Sequence, residues 1–207
     1  TTPTVTDNCT GATIVQTAGA SNGTVFPLGT TTVSYLATDA NGNTATCSFT
    51  VTVTDNLAPV ISGCPSNMIL TNDAGQCGAI ATWTAPTATD NCNLASMSQT
   101  QGLPSGSLFP LGTTTIQYTA IDAGGNSSIC TFTVTVSDTE APAIVGCPSN
   151  ITQQATQGCS TPVTWNVPTV SDNCSGVSMN SNFNSGDVFA VGTTTVTYTA
   201  TDATGNT

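Results

Sequence analysis

An interval of about 83 residues recurs along this chain and constrains its fold more than any other feature. The tripeptide Asp-Asn-Cys stands at Asp7-Asn8-Cys9, Asp90-Asn91-Cys92 and Asp172-Asn173-Cys174, spacings of 83 and 82 residues. FPLGTTTVSYLATDANGNTATC from Phe26 returns as FPLGTTTIQYTAIDAGGNSSIC from Phe109 and as FAVGTTTVTYTATDATGNT from Phe189. Gly63-Cys64-Pro65-Ser66-Asn67 returns at Gly146-Cys147-Pro148-Ser149-Asn150. A fixed period of this size means that one structural unit is copied head to tail. Residues 59–138 hold a complete copy, with Cys64, Cys77, Cys92 and Cys130. Residues 1–55 read as the back part of one copy and residues 142–207 as the front part of another. Residues 1–43 and 165–207 correspond to the same stretch, so one end does not complete the other. A chain of this kind reads as a window on a longer polymer.

Within a copy the pattern is that of strands. In the segment 113–120, Ile116, Tyr118 and Ala120 share one face and threonines the other. After the turn Ala123-Gly124-Gly125-Asn126 the alternation resumes from Cys130 through Phe132 and Val134 to Val136. Period-two alternation with β-branched residues predicts half-buried antiparallel strands, here joined as a hairpin. Ile69 and the run from Ile80 to Trp83 supply earlier strands, and no stretch carries a helical period. The predicted class is all-β: tandem immunoglobulin- or fibronectin-III-like β-sandwich modules, stapled by disulfides.

Charge then removes whole classes of function. All eleven charged side chains are acidic; Lys, Arg and His are absent. Without Lys or Arg nothing neutralises phosphates, so nucleic acid is excluded as a partner. Without His there is no Ser-His-Asp or Cys-His catalysis and no His-based zinc site; without Lys there is no Schiff base. Paired carboxylates cleave glycosides, but every acidic motif here recurs in a turn or linker, and no enzyme activity is expected. No apolar run reaches the ~18 residues of a spanning helix. Nine cysteines without a CxxC pair point to disulfides and an oxidising, secreted setting.

The order Cys-Pro, Cys, Trp, Asp-Asn-Cys, FPLGTTTVxY, TDxxGN, Cys-x-FTVTV and DxxAP resembles the HYR (hyalin repeat) family across essentially the whole chain. The resemblance implies immunoglobulin-like modules of extracellular matrix and cell-surface proteins, associated with adhesion. The absence of basic residues departs from the family's usual composition.

Four cysteines per copy allow three pairings. In a sandwich, the loop after the second strand and the final hairpin lie at the same end. That geometry favours Cys92–Cys130, with Cys9–Cys47 as its equivalent. Cys64–Cys77 and Cys147–Cys159 follow by elimination, and Cys174 is left for a partner outside the chain.

The carboxylates gather in Asp-Asn-Cys (Asp7, Asp90, Asp172), in the last hairpin turn (Asp39, Asp122, Asp202) and in the linkers (Asp55, Asp138, Glu140). Two readings stand. Asp39, Asp55, Asp90, Asp122, Asp138, Glu140 and Asp202 supply the oxygen donors that calcium prefers, at module junctions. Alternatively, they cap their own turns and keep the chain soluble; no cofactor is then required. Sequons at Asn22, Asn126 and Asn150 are candidate sugar sites; at Asn8 and Asn173 the middle residue is cysteine.

The functional expectation is a structural or adhesive extracellular repeat, a segment of a surface stalk or filament. Its partners are further copies of the same repeat, end to end or side by side, with glycans as additional ligands. The alternative is a glycan- or protein-binding module, including an accessory region of a larger secreted enzyme. Such a module needs exposed aromatics, whereas Trp83 and Trp165 are expected in the core.

Overall fold

The computed structural model describes residues 2–156 and 158–207. Among the described residues every regular element is a β-strand, and none is a helix. The chain divides into two compact units.

The first unit comprises Thr1–Val60 with Ala88–Met97 and Ala120–Ser128. Its sheet is built from β1 (Thr13–Ala18), β2 (Gly29–Thr38) and β3 (Thr44–Val53), in that order and antiparallel. Alternation along β2 buries Val33 and Tyr35 and leaves Thr30 and Thr32 outward. The β2–β3 hairpin closes with Thr38 opposite Thr44, around a turn that the Asp39 carboxylate ties together through the amides of Asn41 and Asn43.

The second unit comprises Ile61–Thr87, Ser98–Thr119 and Ile129–Thr207. The complete copy runs through β4 (Val60–Ser62), β5 (Met68–Thr71), β6 (Gly78–Ile80), β7 (Thr87–Thr89), β8 (Leu94–Gln101), β9 (Leu108–Pro110), β10 (Gly112–Asp122) and β11 (Ser127–Ser137). One sheet has the order β5-β11-β10-β8, with β5 parallel to β11. The other strands pair as β4-β7 and β6-β9. The next copy contributes β12 (Ala143–Val145), β13 (Ser160–Pro162), β14 (Thr169–Ser171), β15 (Ser178–Ser181), β16 (Val188–Ala190) and β17 (Tyr198–Thr201). Its pairs β12-β14, β13-β16 and β15-β17 reproduce those of β4-β7, β6-β9 and β8-β10. The copies therefore fold alike.

The predicted inward face is the core: Ile116, Phe109, Ala120 and Val134 are fully buried, with Tyr118, Phe132 and Val136 beside them. Trp83 lies edge-on to Phe109 and Phe132, at 5.9 and 5.2 Å between ring centroids. Its indole N–H donates to the Tyr118 hydroxyl at 2.9 Å, which satisfies both buried polar ends. Trp165 and Tyr198 repeat the bond at 2.6 Å. The strand predicted from Ile80 to Trp83 ends at Ile80. Beyond it the Trp83 amide donates to Ser105 Oγ, and that hydroxyl donates back to the Trp83 carbonyl, so a side chain replaces the ladder. Ser185 does the same for Trp165.

A shared corner follows β1 and β8. The Gln99 amide donates to the carbonyls of Gln101, Gly102 and Leu103, as Gln16 does to Ala18, Gly19 and Ala20. Gly102 has φ +85°, and a Cβ there would lie 2.6 Å from the Thr115 carbonyl oxygen, so only glycine fits.

The cysteine pairing differs from the sequence expectation. Cys64 bonds Cys130, with Cα atoms 5.8 Å apart, and Cys77 bonds Cys174, with Cα atoms 4.9 Å apart. Cys9, Cys47, Cys92, Cys147 and Cys159 are exposed thiols. Neither Cys92–Cys130 nor Cys64–Cys77 forms, Cys9–Cys47 and Cys147–Cys159 are likewise unbonded, and Cys174 finds its partner inside the chain. The reason is level along the strand. Cys92 follows Asp90 at the height of the Asp122–Asn126 turn, whereas Cys130 sits four residues into β11, roughly 13 Å further on at ~3.3 Å per residue. That level belongs to Cys64, just past β4.

Candidate metal centre at the repeat junctions

Every linker between copies carries an aspartate, and each meets the Asp-Asn-Cys loop of the copy that follows. In the first unit one carboxylate oxygen from each of Asp55, Asp90 and Asp122 lies within 4.8 Å of the others. In the second unit Asp138, Asp172 and the Cys174 sulfur are drawn together in the same way. That sulfur is held in the bond to Cys77 and is not a thiolate donor, so the donors at both places are oxygens.

Local turn chemistry aims these groups. Each aspartate spends one oxygen on a backbone amide two residues ahead: Asp55 on Leu57 (3.1 Å), Asp90 on Cys92 (2.9 Å), Asp138 on Glu140 (3.1 Å) and Asp172 on Cys174 (3.0 Å). The opposite oxygens, Asp55 Oδ2, Asp90 Oδ1, Asp138 Oδ2 and Asp172 Oδ1, are buried and meet no donor; Asn173 Oδ1 is in the same condition. Asp138 is only 6% exposed. Buried carboxylates are ordinarily paired or hydrogen-bonded, and this chain has no Lys, Arg or His with which to pair them.

The linkers are themselves tied down. Asn126 donates to the Asp55 carbonyl at 3.0 Å and Ser128 to the Pro59 carbonyl at 2.6 Å. Asn206 donates to the Asp138 carbonyl at 3.3 Å, in the equivalent place. The Asn173 side chain donates to the Gln76 carbonyl at 3.0 Å, beside the Cys77–Cys174 bond.

The expected metal set divides. Asp55, Asp90 and Asp122 converge, and Asp138 converges with Asp172, which the expected set does not include. Glu140 instead accepts from the Gly75 amide and the Asn72 side chain, bracing the β5–β6 loop. Asp39 and Asp202 are consumed by their own turns. Hydrogen bonds from the Asn43 side chain and amide hold the Asp39 carboxyl below its ordinary value. Burial opposes ionisation of Asp122, yet hydrogen bonds from the Asn126 side chain and amide outweigh it and its pKa is lowered. In Asp202 burial is again outweighed, by Asn206 and Thr204, and the pKa falls to about 2. The Cys92 thiol is pushed up by the Asp55 carboxylate beside it, by burial, and by the charges of Asp90 and Asp122.

A depressed carboxyl stabilises the fold above its unfolded pKa and loses that contribution as pH falls through the folded one. For Asp202 the window runs from the ordinary 3.8 down to about 2. Amide resonances of Thr204 and Asn206 should therefore titrate near pH 2, and Asp202→Asn should abolish that transition.

Among the sequons, Asn22 and Asn150 are exposed. The Asn126 amide nitrogen, which would carry a sugar, is engaged with Asp122 and the Asp55 carbonyl, and Asn173 is engaged with Gln76.

Repeated sandwich copies with turn-borne carboxylates at each junction define a class of tandem β-sandwich repeats. The family described as HYR domain matches residues 1–53, 54–136 and 137–207, and the chain belongs to it. It is 39% identical over 203 residues to hyalin of Strongylocentrotus purpuratus, covering 94% of this chain and 17% of that protein. It is 40% identical over 214 residues to hyalin of Lytechinus variegatus, covering 99% and 39%. A rat (Rattus norvegicus) protein named for its sushi, von Willebrand factor type A, EGF and pentraxin domains is 40% identical over 152 residues, covering 72% of this chain and 4% of its own length. The chain thus spans well under half of these curated relatives. A solved structure of protocadherin gamma B7 cadherin domains 1–4 is similar at 20% identity and a TM-score of 0.33, covering 75% of this chain and 44% of that one. Modules of the HYR type are extracellular and non-enzymatic. No helix among the described residues is long and apolar enough to cross a membrane.

Proposed function

We propose that the chain is a segment of an adhesive extracellular stalk or filament whose junctions are clamped by calcium. Its partners are further copies of the same repeat, end to end and laterally. The observation that supports this reading is the recurrence, at two junctions, of buried carboxylate oxygens without a donor in a chain without a cationic side chain. Calcium takes six to eight oxygens at ~2.3–2.6 Å, so oxygens around one ion lie within about 5 Å of each other. The 4.8 Å clusters meet that limit, and carbonyls and water complete the shell. The junction at Asp55, Asp90 and Asp122 holds one such ion. The other is held by Asp138 and Asp172, with Asn173 Oδ1 as a further donor. An ion bound there joins a linker to the copy that follows and removes the repulsion that otherwise loosens their contact. Asn22 and Asn150, exposed and unencumbered, are the two positions suited to sugar.

Hydrogen–deuterium exchange tests the clamp. Amides of residues 54–60 and 137–143 should exchange at least tenfold more slowly in millimolar calcium than in chelator, with the β10–β11 core unchanged. Equal exchange in both would refute it. Electron micrographs of native material should show thin continuous fibres, and discrete globules would contradict the stalk.

A further inference from the structure

The Cys77–Cys174 bond joins two copies: Cys77 lies in the complete copy and Cys174 in the one after it. We propose that this bond is one rung of a ladder repeated at every junction, in which Cys159, Cys92 and Cys9 are further half-rungs. Each takes the complementary cysteine of a further copy of this module.

The assignment follows from position in the copy. Cys77 stands directly before β6, whose Gly78 pairs with Pro110 of β9; Cys159 stands directly before β13, whose Ser160 pairs with Ala190 of β16. Cys77 and Cys159 therefore open the same edge of the same strand pair, one bonded and the other a free, exposed thiol. On the opposite side, the Asp-Asn-Cys loop has one shape whether bonded or not. The amide of Cys174 donates to Asp172 at 3.0 Å, that of Cys92 to Asp90 at 2.9 Å and that of Cys9 to Asp7 at 3.3 Å. The Asn side chain points at the following sulfur in both the bonded loop (3.5 Å) and the free loop at Cys92 (3.2 Å). The loop is thus set for bonding before the partner arrives. The counterpart of Cys77 that would serve Cys92 and the Asp-Asn-Cys cysteine that would serve Cys159 are not among the 207 residues. Cys47 and Cys147 are counterparts of Cys130 and Cys64, so they belong to the bond within a copy and do not compete.

Rung formation is a thiol–disulfide exchange. The thiolate of the cysteine that precedes β6 or β13 attacks a small-molecule disulfide such as oxidised glutathione, forming a mixed disulfide and releasing one glutathione thiolate. The Asp-Asn-Cys thiol, giving up its proton, then attacks that protein sulfur and releases the second. Two protein thiols lose two protons and two electrons, and the oxidant becomes two thiols.

The test is a disulfide map of the native protein, alkylated on extraction and digested without reduction. Trypsin has no site in this sequence, so pepsin and an aspartate-directed protease are used. The expected result is near-complete recovery of Cys77 joined to Cys174, of Cys159 joined to an Asp-Asn-Cys peptide, and of Cys92 joined to a peptide carrying a counterpart of Cys77. Recovery of Cys92 or Cys159 as alkylated thiols overturns the ladder, as does a Cys92–Cys130 or Cys147–Cys159 peptide. Gels with and without reductant separate the two sources of the further copy: a mass that falls on reduction places it on another polypeptide, an unchanged mass on the same one.

Discussion

Replacing Trp83 with alanine should cost the complete copy about 3 kcal/mol and lower its thermal midpoint by well over 10 °C. Truncating a core tryptophan typically costs about 3–5 kcal/mol, and the lower end applies because Trp83 is only partly buried. Three things disappear together: the edge contacts to Phe109 and Phe132, the hydrogen bond that satisfies Tyr118, and the lid over the β10–β11 face. In a domain of this size each kcal/mol moves the midpoint by about 4–8 °C. Trp83→Phe keeps the packing and loses the bond, so its cost should be nearer 1 kcal/mol. Calorimetry that found the alanine variant within about 0.5 kcal/mol of the parent would contradict the assignment of Trp83 to the core and reopen a ligand-binding role.

The second large effect concerns sulfur. Replacing Cys77 and Cys174 together with alanine should destabilise the copy that follows the linker by about 2–4 kcal/mol, because the bond closes a long loop; the separation is 97 residues. That copy has the most to lose, since its strands pair only two by two. In the isolated 207-residue chain, where Cys92 is an exposed thiol and carries no bond, Cys92→Ala should change stability by less than about 0.5 kcal/mol. The pairing expected from the sequence reverses this order, making Cys92 costly and Cys174 neutral. Denaturant titration of the two variants therefore decides between the arrangements.

What could be read in advance followed from periodicity. Alternation placed Ile116, Tyr118 and Ala120 inward, and the repeat made the strand pairs of one copy those of the next. Trp83 was recognisable as core but not as the end of its strand, because the Ser105 clip depends on a residue 22 positions away. Cysteine pairing was illegible for a related reason: it turns on how far along a strand each sulfur sits, which spacing does not report. Pairing across copies is hidden further because a repeat carries no mark of which of its sulfurs bonds outside it. Of the carboxylates that converge, Asp55, Asp90, Asp122, Asp138 and Asp172 all stand in motifs that recur in the sequence. Recurrence does not report which oxygens are left over: those of Glu140 and Asp202 are spent on nearby amides, a matter of loop geometry that composition does not carry.

The clamp at the junctions is most directly tested by titrating calcium into the chelator-treated chain in a calorimeter. Saturable binding at two sites is expected, in the ~10⁻⁴–10⁻³ M range usual for extracellular modules, with Asp55→Asn plus Asp90→Asn removing one site and sparing the other. No binding heat up to several millimolar calcium, together with a thermal midpoint that ignores the ion, would contradict it.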